Sequence, residues 1–261
     1  MSQSTLPLFT TGEGPTLLFI HGLGSSRRCW DQVVNQLSQQ FHCCTLDLPG
    51  HGTNRENQEY ATIEDTAREL ANVLDGVKWT PEAIVGHSMG GLIAASLAES
   101  KPDAAHRLVL LDTPTRQLRI PFLRKWVVST LKKNRKEAIT RQYRRMTRDQ
   151  ELAKELIAEA MATNHYAYDQ YMESLLNADY RQKIHRSAIP VHVWMTRSLA
   201  PDLASFHRAL EKYGYRHLPE EQRHHDPDWG HFLMMESPQT FLERVKKIVE
   251  TPPNPIHLPK T

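Results

Sequence analysis

Short apolar runs punctuate an otherwise polar chain, and each stops abruptly. Leu17–His21 and Cys43–Leu48 end in the glycine-rich turns HGLG and DLPGHG. Ala83–Val85 and Leu108–Leu111 end in GHSMGG and DTP, and Val191–Met195 follows Ile189-Pro190. Runs of this length without polar alternation are what parallel strands buried on both faces look like. Helical patterns separate them at Trp30–Leu37, Thr62–Leu74 and Leu92–Ser100. Strands alternating with helices predict an α/β fold, a mostly parallel central sheet flanked by helices.

The alternation breaks after Asp112. From Arg116 to Arg186 the pattern is helical, with Trp126–Val128, Leu152–Met161 and Tyr166–Leu176 carrying the apolar positions and no strand-like run between them. An all-helical insertion between two core strands predicts a cap over one end of the sheet. After Pro190 the alternation resumes, and Phe241–Val249 reads as a closing amphipathic helix. The expected organisation is a core at 1–113, a helical cap at 114–187, the rest of the core at 188–250, and a loosely attached proline-rich tail at 251–261.

At 261 residues the chain is long enough to bury a core without disulfides or metal. No apolar run approaches the ~20 residues that span a bilayer. The start, MSQSTLPLFT, has neither the basic nor the apolar region of a signal peptide. Three cysteines, two of them adjacent, are no disulfide framework and read as buried reduced thiols in a cytoplasmic protein. No cofactor or metal is expected. His224, His225, Asp226 and Asp228 resemble a ligand set only on paper, because neighbours on one loop make poor metal geometry and favour solvation instead. The net charge of +2 hides an asymmetry, for residues 114–148 hold twelve Lys/Arg and one acid, Glu137. That run suggests an anionic partner or substrate, such as an acyl chain on an anionic carrier. It has few interleaved aromatics and no nucleic-acid-binding module.

Gly86-His87-Ser88-Met89-Gly90 fits G-x-S-x-G. Where a strand turns sharply into a helix, the backbones crowd and the central residue is strained, so the flanking positions need residues without a Cβ. Such a turn presents the Ser88 hydroxyl at the carboxyl end of the strand, where open α/β sheets bind ligands. His21-Gly22-Leu23-Gly24, after the first buried run, suits an oxyanion-binding loop, with the amides of Leu23 and Met89 as donors. Among fourteen histidines, His231 in Asp228-Trp229-Gly230-His231-Phe232 is best set to act as general base. His87 lies on the turn itself and faces the wrong way, and His51 reads as structural.

HGLG, DLPGHG, GHSMGG and WGHFLMMESP, in that order, resemble the α/β-hydrolase superfamily over residues 12–113 and 188–250. The resemblance implies an α/β-hydrolase fold with Ser88 as nucleophile, His231 as base, and Leu23 and Met89 as oxyanion donors. Length and the DLPGHG turn are most similar to small carboxylesterases of the pimeloyl-carrier-protein methyl ester esterase type. The acid that orients the base has two candidates. Asp202 stands in the loop where the family usually carries it, although Met195-Thr196-Arg197-Ser198-Leu199 lacks the usual glycine turn. Asp112 ends the preceding strand, from which some members draw theirs. The implied activity is hydrolysis of a carboxylic ester or thioester through an acyl-enzyme. A carbon–carbon bond hydrolase or lyase uses the same serine and histidine. A binding protein with a decayed triad is the reading from another class. Ser88 argues against epoxide hydrolases and haloalkane dehalogenases, which use an aspartate nucleophile.

Overall fold

Seven strands lie side by side in the order β1-β3-β2-β4-β5-β6-β7. They are β1 Leu8–Thr11, β2 Thr16–Ile20, β3 His42–Leu46, β4 Ala83–His87, β5 Leu108–Leu111, β6 Val191–Thr196 and β7 Arg223–Asp226. Only β1 runs antiparallel, pairing with β3; every other neighbouring pair is parallel. This computed structural model describes residues 6–59, 61–116, 129–130, 133–177 and 179–251. The tail beyond 251 and the segment Trp126–Val128 lie outside the described residues.

Alternate residues of the inner strands enter two separate cores. Leu18, Ile20, Ile84, Leu108, Leu110, Val193 and Met195 pack into one. Leu17, Phe19, Val85, Val109, Leu111 and Trp194 pack into the other. Because both faces are covered, neither side needs polar residues, which is why these strands read as unbroken apolar runs. Helices α2 (Ile63–Gly76) and α3 (Met89–Ser100), with Leu203–Lys212, cover the first face. Helix α1 (Asp31–Leu37) and the helix Pro238–Glu250 cover the second. Cys43 and Cys44 fall into opposite cores as free thiols, and burial pushes each up to about 12.

Two edge strands escape the apolar pattern. β1 is half-buried and pairs on one side only. β7 is the polar Arg-His-His-Asp, which was expected as a solvated loop. Its side chains alternate as a strand requires. His224 stacks on His192 and shares a hydrogen bond with it at 3.2 Å, while His225 stacks on Phe206 and bonds the Ala200 carbonyl at 2.8 Å. Asp226 accepts from Trp194 Nε1 at 2.6 Å and pairs with Arg244.

Between β5 and β6 the described residues form helices Arg135–Met146, Gln150–Ala162, His165–Asn177 and Arg181–His185. Ile139, Tyr143, Leu152 and Leu156 continue one core into this layer, and Ala167, Tyr171 and Tyr180 continue the other. Among the described residues, no helix is long and apolar enough to cross a membrane.

Candidate active site

The turn from β4 into α3 is as crowded as the glycines suggest. A Cβ on Gly86 would lie 2.5 Å from Gly91 Cα, and one on Gly90 would lie 2.2 Å from the Ile20 carbonyl oxygen. Gly91 is equally committed, since a Cβ added there would overlap the Thr113 side chain, a constraint the pentapeptide alone does not reveal. Ser88 stands at the apex with φ 52° and ψ −115°. A non-glycine residue there costs on the order of 1–3 kcal/mol, tolerated because the surrounding structure fixes it. Its amide donates to the Leu111 carbonyl at 2.8 Å, which ties the apex to the end of β5.

Ser88 and His231 line one cavity of about 520 Å³ together with Gly22, Leu23, Ser198, Leu199 and Phe232. No hydrogen bond joins the two side chains within 3.5 Å among the described residues. Such bonds commonly tighten only when substrate is bound. The His231 loop is pinned at its backbone. His231 N–H donates to the Met146 carbonyl at 2.7 Å, and Gly230 N–H donates to Glu236 Oε2 at 2.8 Å. From the other side, His87 Nε2 donates to the His231 carbonyl at 2.9 Å, with the two rings 4.5 Å apart. Burial drives His87 well below the usual histidine range, so it stays a neutral brace.

The structure brings Asp112, and not Asp202, to His231. Asp112 is fully buried just after β5, at φ 45°. Its Oδ2 accepts from His231 Nδ1 at 3.0 Å. The same carboxylate accepts from Thr196 N–H at 2.6 Å and Thr196 Oγ1 at 2.5 Å. With its proton on Nδ1, His231 keeps a lone pair on Nε2. Asp202 is elsewhere. The chain turns back directly after β6, with Leu199 and Ala200 N–H both donating to the Thr196 carbonyl. Ser198 and Leu199 therefore face the cavity where the usual loop would place an acid. Asp202 falls beyond the turn, exposed, as N-cap of the helix Leu203–Lys212 through Ser205 N–H at 2.6 Å. That bond holds its carboxyl below the usual range.

The HGLG loop is fastened by two histidines whose part in the site the sequence does not disclose. His51 Nε2 accepts from Gly24 N–H at 3.1 Å while its Nδ1 donates to the Pro49 carbonyl. His21 Nε2 accepts from Leu48 N–H at 3.0 Å while its Nδ1 donates to the Gly22 carbonyl. Tyr143 of the helix Arg135–Met146 donates to the Leu23 carbonyl at 2.7 Å. No described residue accepts from Leu23 N–H. Met89, first in α3, has no intrahelical partner for its N–H.

Buried neutral histidines, His51 at this loop and the His192–His224 pair between β6 and β7, should make the fold acid-sensitive. Burial lowers His51 to about 3, His192 to about 4 and His224 to about 3. Each takes up its proton more readily unfolded, near 6.5, so its stabilisation is full above that pH and is lost as pH falls toward 3–4. At pH 5 each withdraws roughly 2 kcal/mol, against a total of about 5–15 kcal/mol for a folded domain. Urea unfolding should show stability falling by several kcal/mol from pH 7 to 5. A flat profile would refute the neutral assignments.

A family profile described as "Alpha/beta hydrolase family" matches residues 17–244. The chain belongs to this family. Its residues are 31% identical over 111 positions to (E)-2-((N-methylformamido)methylene)succinate hydrolase from Acinetobacter baylyi, covering 42% of each chain. They are 34% identical over 113 positions to the pimeloyl-[acyl-carrier protein] methyl ester esterase of Nitrosomonas europaea, covering 43% of each. The matched stretch thus spans less than half the length of these curated relatives. Among solved structures, a hydrolase from Oleispira antarctica superposes with TM-score 0.80 at 17% identity over 94% of both chains. A thermophilic esterase from Thermogutta terrifontis superposes with 0.78 at 23%, again over 94% of both, so the whole fold is shared.

Proposed function

We propose that this α/β-hydrolase is a serine esterase that cleaves a carboxylic ester through an acyl-enzyme. The observation that carries the reading is the shared cavity, lined by both the strained Ser88 and a His231 held on Asp112. Ser88 Oγ adds to the ester carbonyl as its proton passes to His231 Nε2, and Asp112 stabilises the imidazolium that forms. Leu23 and Met89 N–H receive the charge that develops on the carbonyl oxygen. The tetrahedral adduct collapses by expelling the alcohol, which takes the proton from His231. Water, deprotonated by the same histidine, then attacks the acyl-enzyme and releases acid and Ser88.

An acyl ester borne on an anionic carrier is the finer form of the reading. It is supported by the basic face of the helix Arg135–Met146 and by similarity to an esterase whose name includes an acyl-carrier protein. The test of the core reading is an active-site fluorophosphonate. Peptide mapping should find one adduct, on Ser88, and none in Ser88→Ala. An unlabelled wild-type chain would instead favour a binding protein with a decayed site.

A further inference from the structure

The one-signed stretch of the sequence ends in the wall of the reaction cavity. Arg141 and Arg145 stand four residues apart on the helix Arg135–Met146, so they share one face. Both line the cavity that holds Ser88 and His231. Both also line an adjoining groove of about 510 Å³ with Lys136, Glu137, Thr140 and Arg144. Among the described residues, Glu137 is the sole carboxylate lining that groove.

On the same helix Arg135 is paired with Asp169, whereas Arg144, in the outer groove alone, makes no ion pair with a described residue. Arg141 and Arg145 make no ion pair with any described residue. Like charges one helical turn apart repel, a cost that an anion between them would reverse. Exposed arginines ordinarily mark no more than a solvated face. These two, however, share a cavity wall with the apolar Met172, Leu175, Leu176 and Leu199. An apolar chamber lined by two arginines that make no ion pair with a described residue matches an amphipathic ligand, one with an acyl chain and a separate anionic group.

We propose that Arg141 and Arg145 form an anion subsite, selecting acyl esters that carry a carboxylate or phosphate away from the scissile carbonyl. This deepens the esterase reading and rests on it. A carrier's acidic surface would meet the outer groove, whereas the two shared arginines reach an anion that belongs to the substrate itself. In the acyl part that anion is a carboxylate; in the leaving part it is a phosphate.

The test measures binding to the Ser88→Ala chain by calorimetry at low salt, with monomethyl glutarate, butyryl-coenzyme A and the neutral dimethyl glutarate as probes. At least one anionic probe should bind about tenfold or more tightly than the neutral ester, a preference of the size two charge-assisted contacts supply. Preference for monomethyl glutarate assigns the anion to the acyl part, and preference for butyryl-coenzyme A assigns it to the leaving part. Adding Arg141→Gln and Arg145→Gln together should reduce the preference to within twofold, while Arg144→Gln, outside the cavity, should retain it. Equal binding of all three probes, or a preference that survives the double substitution, would overturn the subsite. Because no turnover is read, a failure of the serine mechanism would show separately, as a wild type without fluorophosphonate adduct.

Discussion

Ser88→Ala should lower kcat toward simple carboxylic esters by a factor on the order of 10⁴–10⁶, the range seen when a nucleophile is removed from a serine relay. The substitution should barely change the melting temperature. Ser88 Oγ bonds to no other described residue, so truncation orphans no partner. The strained backbone at φ 52° is as unfavourable for alanine as for serine. The fall therefore reports chemistry and not misfolding. Groups that act as a unit lose activity together, so Ser88→Ala combined with His231→Ala should be no slower than Ser88→Ala alone. A multiplicative loss in steady-state assays would mean that the two side chains act independently.

Asp112→Asn should lower kcat by about 10⁴, mainly through the histidine. Three donors converge on this carboxylate, from Thr196 N, Thr196 Oγ1 and His231 Nδ1. An asparagine presents one acceptor oxygen and an NH₂, which cannot accept from all three. His231 would then turn the wrong tautomer toward Ser88, the cause of a loss of this size in serine proteases. Stability should also fall by roughly 1–3 kcal/mol, because a buried donor is left unpaired. Asp202→Ala should lower the melting temperature only slightly, by the loss of an exposed N-cap, and leave kcat within twofold. Paired kinetics and thermal melts of the two variants separate these outcomes.

Much of this architecture is legible in the residues because the relevant constraints are local. Apolar runs mark β2 to β6 since both sheet faces are covered, and Gly86 and Gly90 mark the turn since no Cβ fits there. Edge strands lack that signature. β7 reads as a polar loop because its His and Asp side chains find partners on neighbouring elements, which no local pattern encodes. The acid was ambiguous for the same reason. Asp112 and His231 are 119 residues apart in the chain. Choosing between Asp112 and Asp202 requires knowing how soon the chain turns after β6. That depends on Leu199 and Ala200 N–H closing back on Thr196, which brings Ser198 and Leu199, and no carboxylate, to the cavity. His51 reads correctly as structural, but its tie to Gly24, like the tie from His21 to Leu48, is not legible, since a bracing histidine shows its partners only when both ring nitrogens are seen occupied.

The relay of Ser88, His231 and Asp112 is tested most directly at the His231 Nδ1 proton. A hydrogen bond from that nitrogen to a buried carboxylate should give a proton resonance far downfield of the amide envelope in water. The resonance should be present in the wild type and in Asp202→Ala, and absent in Asp112→Asn. A signal that survives in Asp112→Asn and disappears in Asp202→Ala would contradict the account.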